Sequence, residues 1–469
     1  MSSVAQLGFS SLTGCTLGAD AKQRPSRLLT IMLAGYALSL PFSASMLFAI
    51  PAWHFGVAPF YLCGAGWLLA GLWLIGREGW APQILRQVWA VPAYVLMSLL
   101  SIALTAALPL DQLPIGGDKH PWIFGVTQWM YLAWTLGGTL VLSTLLRRNP
   151  SALRPLLRAH ILVAMVVSLW GWYQCVGFAF AWPYPTWFNN NPFRHQNYEQ
   201  VFAGLRRISS TTPEPADFAM YLLSVVPLLL LTGGGKGLLP RYWGWLALVI
   251  CTLTLCLTTS LSAYLGLLLI AIWGFGNLRR LRWQALLAIL LLCAMAVAGI
   301  EVAANLGSSS TSLLAGVEQR VVTSSSRPDA SLEERSQSLA IAAAIVRDHP
   351  LIGVGEGNYA FAAYQHHAPG AGYQIPRVFS LGARILCEHG TLGAALFVLL
   401  MLQFLQQPAT VVGDPALLAG LRCSFAVGTS VMLVSSADID HYSLWMVAAV
   451  LLAMTPLCRP SSATPGAMA

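Results

Sequence analysis

Twelve apolar stretches, each about 17–25 residues long, recur along the 469-residue chain, and one long polar insert interrupts the series. That recurrence constrains the fold more than any other feature. A helix needs about 20 apolar residues to cross the hydrocarbon layer. No water is present at that depth to satisfy the backbone, so spanning segments are helices or closed barrels. Barrel strands would read as short alternating segments, which this chain lacks. Charged residues make up only 9% of the chain, whereas a soluble domain carries about a quarter. The expected class is an all-α polytopic membrane protein with about 12 transmembrane helices and a large helical loop near its C-terminal third.

The stretches predict spans at 28–50, 56–76, 89–109, 122–146, 159–182, 216–232, 242–258, 260–276, 283–304, 389–407, 415–435 and 442–457. The organisation is then a tail (1–27), a bundle of nine spans (28–304) containing a loop at 183–215, a large loop (305–388), three more spans (389–457) and a second tail (458–469). With both tails in the cytoplasm, one side carries 16 of the 26 basic residues and three of the 18 acidic ones. The two sides then hold +13 and −5, which reproduces the net +8. This is the positive-inside asymmetry. The basic balance therefore reflects topology, and no nucleic-acid partner is expected. The first span follows Arg27 directly and shows no small-residue cleavage site, so it reads as a membrane anchor. The nine cysteines lie mostly within spans and form no CxxC, which argues against a disulfide framework or a structural metal.

Both long loops fall on the periplasmic side. The first opens on Trp182, Tyr184, Trp187, Phe188 and Asn189–Asn191, a composition that suits either an interfacial aromatic belt or a sugar platform. In the second, Ser331 and Glu334 form a capping box for a helix over 331–347, which the proline of His349-Pro350 ends. Gly353-Val354-Gly355-Glu356-Gly357-Asn358 follows. It lacks a preceding strand and a following Gly-Lys-Ser/Thr, so a tight turn packed on the bundle explains it better than a phosphate cradle.

Twenty-three of the 26 basic residues are arginine. Arg206, Arg207, Arg377 and Arg384 lie beside predicted membrane entry points on the acidic side, against the orientation rule. A planar, permanently charged fork suits phosphate. Structural ion pairs with nearby carboxylates are the other reading. His366-His367 are adjacent and point apart, which disfavours a metal pair. Asp438-x-Asp440 reads as a polar turn first.

Three segments carry a family resemblance. Arg207-Ile208-Ser209-Ser210-Thr211-Thr212-Pro213-Glu214-Pro215-Ala216 resembles the Arg-x-x-Gly-x-Phe-x-Glu-Pro-Ser segment of lipid-linked polysaccharide polymerases. Arg335 through Asp348-His349-Pro350-Leu351-x-Gly353-x-Gly355-x-Gly357-Asn358, and Leu386-Cys387-Glu388-His389-Gly390-Thr391-Leu392-Gly393, resemble the O-antigen ligase/polymerase superfamily. Two departures stand out. Family ligases carry a His-Asn pair where this chain has Val378-Phe379-Ser380-Leu381, and many members carry Ser-Arg where it has Ser260-Leu261.

The resemblance implies an inner-membrane, multi-pass glycosyltransferase that polymerises undecaprenyl-diphosphate-linked repeat units into O-antigen or exopolysaccharide, with its active site facing the periplasm. A ligase moving finished glycan to a lipid or protein acceptor is the alternative, and a transporter or flippase of lipid-linked sugars is a third. Implied partners are the lipid-linked glycan, the bilayer and a chain-length-regulating co-polymerase. No Asp-x-Asp lies in a cytoplasmic loop, so no metal or cofactor is expected. Arg206, Arg207, Arg335, Arg377 and Arg384 are the candidate substrate-binding residues. Glu214, His441 and Glu388 are the candidate bases, in that order. Glu388 lies four residues from Arg384, a spacing that also makes a helical ion pair.

Overall fold

The computed structural model describes residues 27–50, 55–79, 82–103, 120–179, 182, 201–202, 205–276, 330–365, 378–407, 414–436 and 439–454. The expected span at 283–304 and the linker at 305–329 lie outside them. Within them the chain is an all-α polytopic membrane protein. Five helices are long and apolar enough to cross a membrane among the described residues, and six shorter apolar helices coincide with other expected spans.

The order is α1 (Arg27–Ser39), α2 (Pro59–Glu78), α3 (Pro82–Gln87), α4 (Ala90–Ile102), α5 (Pro121–Arg148), α6 (Leu153–Ala179), α7 (Pro215–Leu223), α8 (Val226–Leu231), α9 (Arg241–Leu257) and α10 (Leu261–Gly276). After the gap come α11 (Ala330–Asp348), α12 (Tyr359–Gln365), α13 (Leu381–Leu405), α14 (Pro415–Ser435) and α15 (Tyr442–Ala453). Two short antiparallel ladders interrupt the helices, β1 (Phe48–Ile50) with β2 (Phe55–Val57) and β3 (Val201–Phe202) with β4 (Leu205–Arg206).

Local chemistry sets the helix ends. Proline opens α2, α5, α7 and α14, where its missing N–H costs nothing. The Asp414 carboxylate accepts from Ala416 N at 3.0 Å and Leu417 N at 3.3 Å, capping α14. Three expected spans differ from the structure, and one of them, expected at 389–407, begins at Leu381 as α13. The first helix stops at Ser39 rather than reaching 50, because Pro41 forces an extended exit. The span 216–232 is two helices, because Pro227 supplies no N–H and its ring crowds the carbonyl four residues earlier. His160 is buried in α6 and hydrogen-bonds Ser224 Oγ, in the turn between α7 and α8, at 2.9 Å.

Hydrogen bonds between connections sort the loops onto two ends of the bundle. At one end Thr211 meets Pro41 and Ala44, Arg207 meets Thr258 and Thr259, and Leu381 meets Ser436. At the other, arginines tie down helix C-termini and a turn. Arg147 donates to Leu452 O at 2.8 Å, Arg148 to Gly79 O at 3.0 Å, Arg158 to Leu238 O and Arg422 to Gln407 O. Arg147, Arg148 and Arg422 sit against the partial negative charge at helix C-terminal ends, and Arg158 ties α6 to the turn between α8 and α9. The concentration of arginine at that end thus has a structural use, and successive spans thread the bundle in alternating directions.

Candidate functional site

The first arginine motif lies inside the bundle. Ile208, Ser210, Thr211 and Thr212 are buried. Ile208 packs on Gly171 of α6, where a Cβ would come within 2.5 Å of its methyl group. Ser210 exchanges hydrogen bonds with the Gln174 amide, its N–H to Oε1 at 2.7 Å and its carbonyl from Nε2 at 3.1 Å. Its hydroxyl donates to Val167 O at 2.7 Å. Ser210 has φ 54°, in the left-handed region, at the position where the resembling motif has glycine. Irregular backbone so thoroughly satisfied is what membrane depth requires.

This pinned segment presents two of the candidate residues. Arg207 points to the turn between α9 and α10, donating Nε to Thr259 Oγ1 at 3.1 Å and Thr258 O at 3.3 Å, and Nη2 to Thr259 O at 3.3 Å. Its charge thereby lies at the C-terminal end of α9. Glu214 stands just ahead of α7 with its carboxylate exposed and making no capping bond. At the start of α10 Ser262 Oγ bonds Ser435 Oγ at 2.9 Å, and the next residue, Ser436, bonds His441 Nε2 through its Oγ at 2.8 Å. His441 is half-buried at the start of α15. Arg207 and His441 therefore lie at the same end of the bundle.

The second assembly is built on a broken helix. Gly390 in α13 has φ 62° and ψ −164°, values outside any helix. The break strands carbonyls above it and N–H groups below it. The turn after α11 fills both. Val354 N donates to Cys387 O at 2.9 Å and Gly355 N to Glu388 O at 2.8 Å. Thr391 N donates to Pro350 O at 2.8 Å and Leu392 N to Leu351 O at 3.2 Å. The glycine-rich turn is thus a backbone clasp for α13, which bears out the tight-turn reading. Gly353, at φ 68°, has no room for a side chain, since a Cβ would lie 2.4 Å from Cys387 O.

A buried charge network locks the clasp to α4, α5 and α13. Arg384 Nε pairs with Glu388 Oε2 at 3.0 Å, the expected helical ion pair. Its Nη2 reaches Gln128 Oε1 at 3.1 Å and Glu356 Oε1 at 3.4 Å. Glu356 Oε2 accepts from Ser98 Oγ at 2.5 Å and lies 3.2 Å from His389 Nε2. His389 Nδ1 meets Tyr94 OH at 3.2 Å. Two carboxylates thus face one guanidinium and one imidazole, and every member except Arg384 and Gln128 is buried.

Burial pushes the Glu356 carboxyl up, but the hydrogen bond and charge of His389, the charge of Arg384 and the Ser98 hydroxyl outweigh it and hold Glu356 below its ordinary value of 4.5. A depressed carboxyl contributes stability that is complete above the unfolded value and is lost as pH falls through the folded one. Glu356→Gln is therefore expected to lower thermal stability at neutral pH, and its deficit relative to wild type should shrink once pH falls below 4.5. Melting curves of both proteins in detergent over roughly pH 3–7 check this; a deficit that stays constant across the range refutes it.

Of the three candidate bases, Glu214 is exposed, His441 is half-buried, and Glu388 is buried and paired with Arg384. Among the arginines, Arg335 of α11 stacks 4.9 Å over the Phe379 ring, just before α13. Arg206 lies in β4 with its side chain outside the described residues, as does all of Arg377. The sequence reading missed Ser98, Tyr94, Gln128, Glu356 and His389 as partners. The available signal was Glu356, the one charge in a glycine turn, set against the Glu388-His389-Gly390 run.

Residues 246–398 match a family model described as O-antigen ligase, about a third of the chain. No curated protein matches. The matched stretch holds the clasp, Arg384, Glu388, His389 and the Gly390 break, while Arg207, Glu214 and His441 lie outside it. That match, laid over the two interlocked motifs, supports over residues 246–398 the resemblance to the O-antigen ligase/polymerase superfamily.

Proposed function

We propose that the protein polymerises undecaprenyl-diphosphate-linked repeat units at the periplasmic face of the bacterial inner membrane, without a metal. The observation that carries this reading is the pinned 207–214 segment, which offers a guanidinium and an exposed carboxylate from one rigid stretch at the same end of the bundle as His441. In the reaction an acceptor sugar hydroxyl attacks the anomeric carbon of the donor. The new C–O bond forms as the bond from that carbon to the diphosphate oxygen breaks. The hydroxyl proton passes to the Glu214 carboxylate. Negative charge grows on the departing lipid diphosphate, where Arg207, with Arg206, supplies fixed positive charge. His441 is the second choice of base. Arg384 lies between two carboxylates, which oppose a further anion there, so its weight in diphosphate binding falls behind that of Arg207.

The test is turnover of purified lipid-linked repeats in detergent, with chelator present. Arg207→Ala should abolish the polymer ladder while the protein keeps its abundance, and Arg207→Lys should rescue poorly because a point charge lacks the bidentate fork. Glu214→Gln should lose activity to a similar degree. Wild-type ladders from both variants would sink the assignment. The description of the matched family favours a second reading, a ligase. In a deletion strain, loss of long chains with retained single-repeat product means polymerase, and accumulation of lipid-linked polymer means ligase.

A further inference from the structure

The clasp that fills the α13 break is two-sided. Residues 353–363 are buried, and Glu356 points into the network with Arg384 and His389. The preceding residues face outward, and they are apolar. Leu351 is 63% exposed and Ile352 51%. Leu392, 59% exposed, is hydrogen-bonded through its N–H to Leu351 O, so the three side chains belong to one patch. That patch continues along α13 through Val398, Leu399 and Leu402, all exposed. These positions are the outward stripe of a helix apolar enough to cross a membrane.

Depth arithmetic agrees. The lower half of α13 ends at Leu405, beside Gln406 and Gln407. From Leu405 up to Thr391 is about 21 Å at ~1.5 Å per residue. A hydrocarbon layer of about 30 Å therefore closes several ångströms beyond the break, near Ile385. At that depth two conditions apply. Irregular backbone must be internally satisfied, and Pro350, Leu351, Val354 and Gly355 each bond α13. Ionisable groups must face inward and be paired, as Glu356, Glu388 and His389 do.

We propose that the turn 350–352 dips into the leaflet nearest the clasp, with Leu351 and Ile352 packed among lipid acyl chains alongside Leu392. The large loop is then partly monotopic, anchored in the membrane by the same turn that holds Arg384 from inside. The consequence is a fixed depth, with Arg384, six residues before Gly390, lying about 9 Å above the break and so at headgroup level.

Spin labels on single cysteines test it in the full chain, reconstituted in phosphatidylethanolamine/phosphatidylglycerol vesicles, with the signal of identically treated unsubstituted protein subtracted. Leu351→Cys and Ile352→Cys labels should relax faster with oxygen than with a water-soluble nickel chelate, as a Leu392→Cys label in the span does. A label at Ser336→Cys, exposed on α11, gives the contrast. Nickel-dominated relaxation at both 351 and 352 overturns the proposal by placing the turn in water. Shielding from both reagents also overturns it, because the patch would then be covered by protein, a second copy or another chain. If one variant expresses poorly, the other decides.

Discussion

Arg384→Ala is expected to destabilise the protein by about 3–5 kcal/mol, the cost of removing one partner from a buried ion pair. The reason is charge accounting at one point. Arg384 is the only permanent cation described between the Glu356 and Glu388 carboxylates, and its own side chain is 15% exposed. Without it, two buried carboxylates face each other with only His389 to offset them. A mutant cycle separates this from lost packing. Glu388→Gln in the Arg384→Ala background should recover part of the deficit, a coupling of the size seen for residues in one network. Thermal or denaturant unfolding in detergent measures both. A loss below about 1 kcal/mol would mean the pair behaves as a surface salt bridge and the network does not hold the clasp. The result also decides how activity data are read. A dead Arg384→Ala enzyme does not show that Arg384 touches diphosphate, because the same substitution releases the clasp.

The architecture was legible because bilayer thickness imposes a length on every span. Helices stand at eleven of the twelve expected positions, and the twelfth, 283–304, lies outside the described residues. Two of the errors came where one proline acts, and a third where Ser380 caps α13, which starts eight residues before the expected entry. Pro41 shortens the first helix and Pro227 divides the sixth span, and hydropathy averages over both. The site was legible only in its local parts. The Arg384–Glu388 spacing is a property of one helix, so sequence alone suffices to find it. The Glu356–Ser98 bond joins residues 258 positions apart, and His389–Tyr94 joins residues 295 apart. No periodicity reports such pairings. Likewise the pinning of Ser210 by Gln174 turns a segment read as loop into buried backbone, for a reason found on α6. What sequence could offer was coincidence. A glycine turn and a Glu-His-Gly run, far apart in the chain, both matched one family pattern, and the broken helix is where they meet.

That meeting point makes Gly390→Ala the sharpest structural test. At φ 62° and ψ −164° the backbone adopts a conformation open essentially to glycine alone, worth about 1–3 kcal/mol of strain for any other residue. There is no space either. A Cβ at Gly390 would stand 2.3 Å from the carbonyl carbon and oxygen of Leu351 and 2.5 Å from Ile352 N, backbone atoms that cannot rotate away. Overpacking of this kind adds a further ~1–3 kcal/mol. Two responses are open to the chain. It can carry the strain, or α13 can straighten, forming the helical bonds that the clasp now supplies and expelling the turn together with Glu356. Either way the melting temperature should fall by an amount equivalent to about 2–6 kcal/mol. Gly137→Ala gives the control. Gly137 lies within α5, and a Cβ there meets nothing within 4 Å, so alanine should be neutral or stabilising by about 0.5–1 kcal/mol. Expulsion of the turn is separately visible, because a spin label at residue 351 would pass from oxygen-dominated to nickel-dominated relaxation in the Gly390→Ala background. Equal tolerance of alanine at 390 and 137 would show that α13 does not depend on its break, and the clasp would lose its reason for being rich in glycine.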